Sequence, residues 1–117
     1  MSDVLDTLFD TILDRQAHPR PGSYTARLLD AGEDEILKKV GEEAMEVILA
    51  AKGQGDARLV SEVADVFYHL LVLLAARGLS LRDVEAELVR RRNPEPVEGR
   101  GPEPVEGRGP EPVEGRW

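Results

Sequence analysis

The sequence predicts an all-α fold, an antiparallel bundle of four to five helices, and three observations carry that expectation. Apolar residues recur at steps of three and four through most of residues 1–93. Glycines, prolines and helix-capping residues interrupt that pattern at intervals suited to short connections. No segment alternates apolar and polar residues with period two for long enough to form a convincing strand.

The elements follow in order. Val4, Leu5, Leu8, Phe9, Ile12 and Leu13 form the stripe of an amphipathic helix from about Asp3 to Arg15, broken by "HPRPGS" at residues 18–23. Ser23 can cap a short helix through "YTARLLDA", which Gly32 stops. Glu33, Asp34 and Glu35 suit the positive first turn of the next helix, which runs to Lys52 with Ile36, Leu37, Val40, Ala44, Val47, Ile48 and Ala51 as its apolar stripe. After "GQG", Asp56 is placed to cap a long helix ending at Gly78. Ser80 and Asp83 resemble a capping box for a last helix towards Arg92, before Pro94 stops it.

At Pro94 the character changes. "PEPVEGRG" repeats with period eight to the end of the sequence, and valine is the only aliphatic residue in each unit. Such units cannot bury enough apolar surface to offset the entropy of ordering, so residues 94–117 read as a disordered tail behind one domain at 1–93. Charge and composition narrow the function classes. The 23 acidic against 15 basic residues, a net charge of -8, oppose binding to a nucleic-acid backbone. With no cysteine, neither a disulfide framework nor a thiolate metal site is available. The acidic N-terminus lacks the basic and apolar regions of a signal peptide, and no apolar stretch reads as both long enough and sufficiently free of charge to span a bilayer. A soluble cytoplasmic protein is expected.

The chemistry lies in carboxylates on two neighbouring helices. From Val60 to Ala76 the only ionisable groups besides the Tyr68 phenol are Glu62, Asp65 and His69. Their i, i+3, i+7 spacing confines them to an arc of roughly 60°. This helix should be buried nearly all round except along that stripe, and a lone chain could hardly cover it. A homodimer or larger assembly is therefore expected to complete the core. On the preceding helix, Glu43 and Glu46 form a second i, i+3 pair, and two helices joined by a tight turn pack antiparallel, so the stripes can converge. Four facing carboxylates call for a hard cation, Mg²⁺ first with Mn²⁺ as a substitute, and Mg²⁺ commonly completes its shell with substrate phosphates. Each group also has an ordinary reading. Glu42 is either a surface glutamate or a water-orienting base, Lys39 either an ion-pair partner or a phosphate contact, and His69 either a satisfied core histidine or part of the site. Arg27, Lys38 and Lys52 are surface charges first and phosphate contacts second.

"EEAME" followed after fifteen residues by "EVAD" resembles the EExxE and ExxD signature of the MazG-like all-α nucleoside triphosphate pyrophosphohydrolases. "SYTARLL", "KKVGEEAMEVILAAK" and "EVADVFYHLLVLLAARGLSLRDVEAEL" make the chain similar, over nearly all of residues 4–92, to the phosphoribosyl-ATP pyrophosphatase family of histidine biosynthesis. That resemblance implies a helical bundle built from more than one subunit and Mg²⁺-dependent hydrolysis of phosphoribosyl-ATP to phosphoribosyl-AMP and pyrophosphate. It implies metal ligation by Glu43, Glu46, Glu62 and Asp65, with Glu42 completing the motif, and phosphate or ribose contacts from Lys39 and from Arg27, Lys52 and His69. Length and the lack of cysteine imply a stand-alone enzyme rather than a fusion with the zinc-dependent cyclohydrolase found in many relatives. Two other readings stand beside this one. Carboxylates that grip a triphosphate do not select a base, which allows a house-cleaning enzyme acting on dUTP, dCTP or damaged nucleotides. A non-catalytic helical module would instead pair the acidic stripes with basic partners, of which Arg90 to Arg92 is the only dense run.

Overall fold

A computed structural model describes residues 3–93, and these form five helices with no strand among the described residues. They are α1 (Asp3–Ala17), α2 (Tyr24–Ala31), α3 (Glu33–Gly53), α4 (Asp56–Ala76) and α5 (Leu81–Arg92). The repeat tail expected at 94–117 lies outside the described residues. The described residues divide between Leu81 and Arg82 into two units.

The helix ends show why the chain turns where it does. α1 runs two residues beyond the expected Arg15 before the Pro-rich segment ends it. Ser23 caps α2 as expected, its Oγ accepting from the Ala26 N–H at 3.1 Å. Asp56, in contrast, is not the cap of α4. Gly55 holds that place at φ 90°, with no side-chain cap bond. A reversal completed within Gln54 and Gly55 demands a left-handed backbone, which glycine adopts freely, and Asp56 thereby becomes the first helical residue, still favourable beside the helix dipole. α4 closes with paired bonds, Leu79 N–H to the Leu74 carbonyl at 2.9 Å and Gly78 N–H to Ala75 at 3.1 Å. This is the Schellman arrangement, and the φ of 73° at Gly78 permits it.

In the first unit, α3 and α4 pack along each other as a hairpin, α1 lies against α4, and α2 touches α1, α3 and α4. The buried core gathers Phe9 and Ile12 of α1, Leu28 of α2, Ile36 at the start of α3, Leu71, Val72 and Ala75 of α4, and Leu81. It therefore occupies the end of the hairpin remote from its turn. Towards the turn, Met45, Ile48, Leu49, Val60 and Phe67 are exposed. Only Ile36 of the expected α3 stripe is buried.

The expected environment of α4 is met only in part. Glu62 and His69 are only 5% and 6% exposed, whereas Val60 and Phe67 are 68% and 48% exposed. Towards the hairpin turn Glu62 packs inward while Val60 and Phe67 face out, whereas further along α4 the apolar Leu71, Val72 and Ala75 enter the core beside the buried His69. The expectation about membrane-spanning stretches also needs correction. α4 is 21 residues long and holds an 18-residue window with a mean hydropathy of 1.8, enough by length and composition to cross a membrane. Glu62 and Asp65 are too few among its Val, Leu and Ala residues to bring that mean down.

In the second unit, the described residues continue α5 from Arg82. Arg82 pairs with Glu85, and Glu87 accepts from Arg90 at 2.6 Å and Arg91 at 3.0 Å. These bonds along one turn hold the Glu87 carboxyl down at about 2.

Candidate functional site

Glu43 lies ten residues before the end of α3, while Glu62 and Asp65 lie six and nine residues into α4. The antiparallel hairpin brings the three carboxylates together, with one oxygen from each within 4.8 Å of the others. Three converging charges perturb one another. Burial, then the Asp65 charge, then a hydrogen bond with Glu62, raise the Glu43 carboxyl above its usual range. One cation offsets them, Arg58, whose Nε donates to Glu62 at 2.8 Å from one turn earlier on α4. The donor set is all oxygen and over-supplied with negative charge, as a hard divalent ion requires. Neighbouring oxygens of an octahedral Mg²⁺ shell stand about 3 Å apart, so the three side chains would draw inward by about an ångström each to hold that ion. Glu46 falls outside this close group, on the next turn of α3.

The other anticipated residues separate into two sets. Lys39 lies 3.7 Å from Glu42, the ordinary i, i+3 pair, and both sit on α3 one turn or less from Glu43. Lys52 is exposed at the far end of the same helix. His69 is buried and fully engaged, with Nδ1 2.9 Å from the Asp65 backbone oxygen and Nε2 3.1 Å from the Tyr24 hydroxyl. Tyr68 beside it meets Thr25 Oγ1, and its ring lies edge-on to His69 at 4.9 Å. Burial raises the Tyr68 phenol above its usual value, so it stays neutral. The Arg27 guanidinium stands 5.7 Å from the centre of the Tyr24 ring.

Comparison with known proteins settles what kind of domain holds this site. The phosphoribosyl-ATP pyrophosphohydrolase family matches residues 5–92. The chain belongs to that family. Among curated relatives, a phosphoribosyl-ATP pyrophosphatase of Pelotomaculum thermopropionicum is 58% identical over 90 residues, 77% of this chain and 92% of that protein. One of Sulfurisphaera tokodaii is 53% identical over 90 residues, covering 77% of this chain and 96% of the other. A histidine biosynthesis bifunctional protein HisIE of Gloeobacter violaceus is 52% identical over 91 residues, 78% of this chain but only 41% of that longer protein. The family resemblance read from the "EEAME" and "EVAD" motifs is thus borne out. Within this phosphoribosyl-ATP pyrophosphohydrolase domain, the hairpin unites three of the four carboxylates anticipated as ligands. Sequence reasoning missed Arg58 and Tyr24. Arg58 was open to detection as an i, i+4 partner of Glu62. No spacing rule links Tyr24 to His69, 45 residues away on another helix.

Proposed function

We propose that the chain hydrolyses phosphoribosyl-ATP to phosphoribosyl-AMP and pyrophosphate in histidine biosynthesis, with Mg²⁺ held by Glu43, Glu62 and Asp65 and joined by Glu46 from the next turn of α3. The observation that carries this reading is the convergence of Glu43, Glu62 and Asp65 within 4.8 Å, in a domain of this family. When bound, the ion would neutralise charge on the triphosphate and stabilise the pyrophosphate that leaves. The remaining work falls to the chain itself. Glu42, beside Lys39 and outside the triad, is the carboxylate available to orient a water and take its proton as the water oxygen bonds to the α-phosphorus. The bond from that phosphorus to the bridging oxygen then breaks. Lys39 and Arg27 supply cationic contacts for phosphates, with Lys52 at the periphery.

The bare apolar residues near the hairpin turn support assembly into a homodimer or larger oligomer that covers α3 and α4. The protein would act on a diffusing nucleotide in the cytoplasm, with neither nucleic acid nor membrane as partner. Pyrophosphate release from phosphoribosyl-ATP, dUTP and dCTP, with Mg²⁺ and with chelator, tests the reading. Metal-dependent turnover strongly favouring phosphoribosyl-ATP is expected. Faster turnover of the deoxynucleotides would assign a house-cleaning role, and no turnover of any substrate would reject a catalytic one.

A further inference from the structure

Consecutive residues at the start of α2 are bonded to consecutive residues of α4, Tyr24 to His69 and Thr25 to Tyr68. The protons can be placed from chemistry. A backbone carbonyl only accepts, so His69 Nδ1, which faces the Asp65 oxygen, carries the hydrogen. In the neutral ring Nε2 is then the acceptor, and the Tyr24 O–H donates to it. Both ring nitrogens are spent inside the chain, and the ring is buried. His69 therefore has no polar atom left for a substrate, which favours the satisfied core histidine of its two readings. The bonded pair instead ties the first turn of α2 to the turn of α4 that follows Asp65.

That turn of α2 also carries Arg27. Its guanidinium is 5.7 Å from the Tyr24 ring centre, and the Tyr24 and His69 rings are 6.0 Å apart. Two ring-sized steps thus separate Arg27 from the Asp65 turn. Through those two contacts Arg27 lies within the span of a nucleotide that is held at the carboxylates and bears a second anionic group. An exposed arginine otherwise loses much side-chain entropy on binding, and a ring fixed beneath it reduces that loss.

We propose that Tyr24 and His69 are positioning residues that hold Arg27 where it reads a substrate phosphate remote from the carboxylate triad. The inference rests on the pyrophosphohydrolase reading and assigns this edge of the same site to substrate selection.

Tyr24→Phe keeps the ring beside Arg27 and removes only the hydroxyl. It should raise KM for phosphoribosyl-ATP several-fold while leaving kcat and Mg²⁺ affinity near those of the unaltered protein. Arg27→Gln should raise KM at least as much, and the double variant should be no worse than Arg27→Gln alone, because both act through one contact. His69→Gln places an amide near the former Nε2 and should restore KM, whereas His69→Asn matches only the Nδ1 side and should not. With ATP, which lacks the second phosphate-bearing ribose, KM should not respond to either single change. Additive losses in the double variant, a fall in kcat at constant KM, or an equal KM rise for ATP would overturn the proposal. Nitrogen-15 NMR of the substrate-free protein gives a readout independent of turnover. A protonated Nδ1 on His69, perturbed by Tyr24→Phe, supports the clasp, and a protonated Nε2 with a bare Nδ1 refutes it. Absence of turnover in the unaltered protein would instead reject the activity itself.

Discussion

Glu43→Gln should make the metal-free protein more stable and, at the same time, remove its stabilisation by Mg²⁺. At 4.8 Å, the upper limit of separation within the triad, a pair of like charges repels by about 0.9 kcal/mol in water and about 3.5 kcal/mol at an effective dielectric of about 20. Glu43 faces two such charges, but Arg58 offsets the one on Glu62. One net repulsion remains, and because Glu43 is partly exposed the lower part of that range applies, about 1–2 kcal/mol. The sign follows from linkage. A carboxyl raised in the folded state binds its proton more tightly there than when unfolded, so its ionisation costs stability as pH rises above the usual 4.5, fully so beyond its raised value. Gln removes that loss. At neutral pH in chelator the melting temperature should rise by roughly 4–8 °C per kcal/mol, measured at matched protein concentration. With millimolar Mg²⁺ the unaltered protein should gain stability and the variant should gain much less. A destabilised variant in chelator, or an undiminished response to Mg²⁺, would refute the view that the three carboxylates form one strained cation site.

Other outcomes can be checked separately. Ile36→Ala empties a wholly buried position and should lower stability by about 2–5 kcal/mol in urea denaturation. Phe67→Glu adds a charge to the uncovered side of α4 and should shift sedimentation towards the monomer while leaving helical circular dichroism intact. Glu87 should titrate at about 2 in carbon-13 NMR. As a depressed carboxyl it stabilises the fold above its unfolded value, and that contribution disappears as pH falls through about 2, so Glu87→Gln should flatten this acidic limb slightly.

Helix number and order were legible because apolar spacing and glycine breaks are local signals. The ends were less so. Ser23 acted as the cap it resembled, yet Asp56 lost that role to Gly55, since the reversal between α3 and α4 needed a backbone conformation that composition does not announce. Carboxylate convergence was legible because i, i+3 pairs on antiparallel neighbours must face each other or diverge together. Glu46 shows the remaining freedom: helical phase places it on the correct side but does not decide which turn closes the cluster. Hydrophobicity revealed that α4 has much surface to cover without revealing that its own chain covers the acidic side first. His69 stayed between two readings for a similar reason. One of its two partners, Tyr24, lies on another helix, and periodicity along α4 carries no information about it.

α4 has two working faces, with Glu62 and His69 turned inward and Val60 and Phe67 turned outward. A helix behaves as a rod, so a shift imposed on one face displaces the other. If a second subunit seats on the outer residues, dilution should weaken turnover as well as association, and specific activity should fall at low enzyme concentration. Catalysis and quaternary structure would then evolve under a shared constraint, because a substitution that retunes one face must be tolerated by the other.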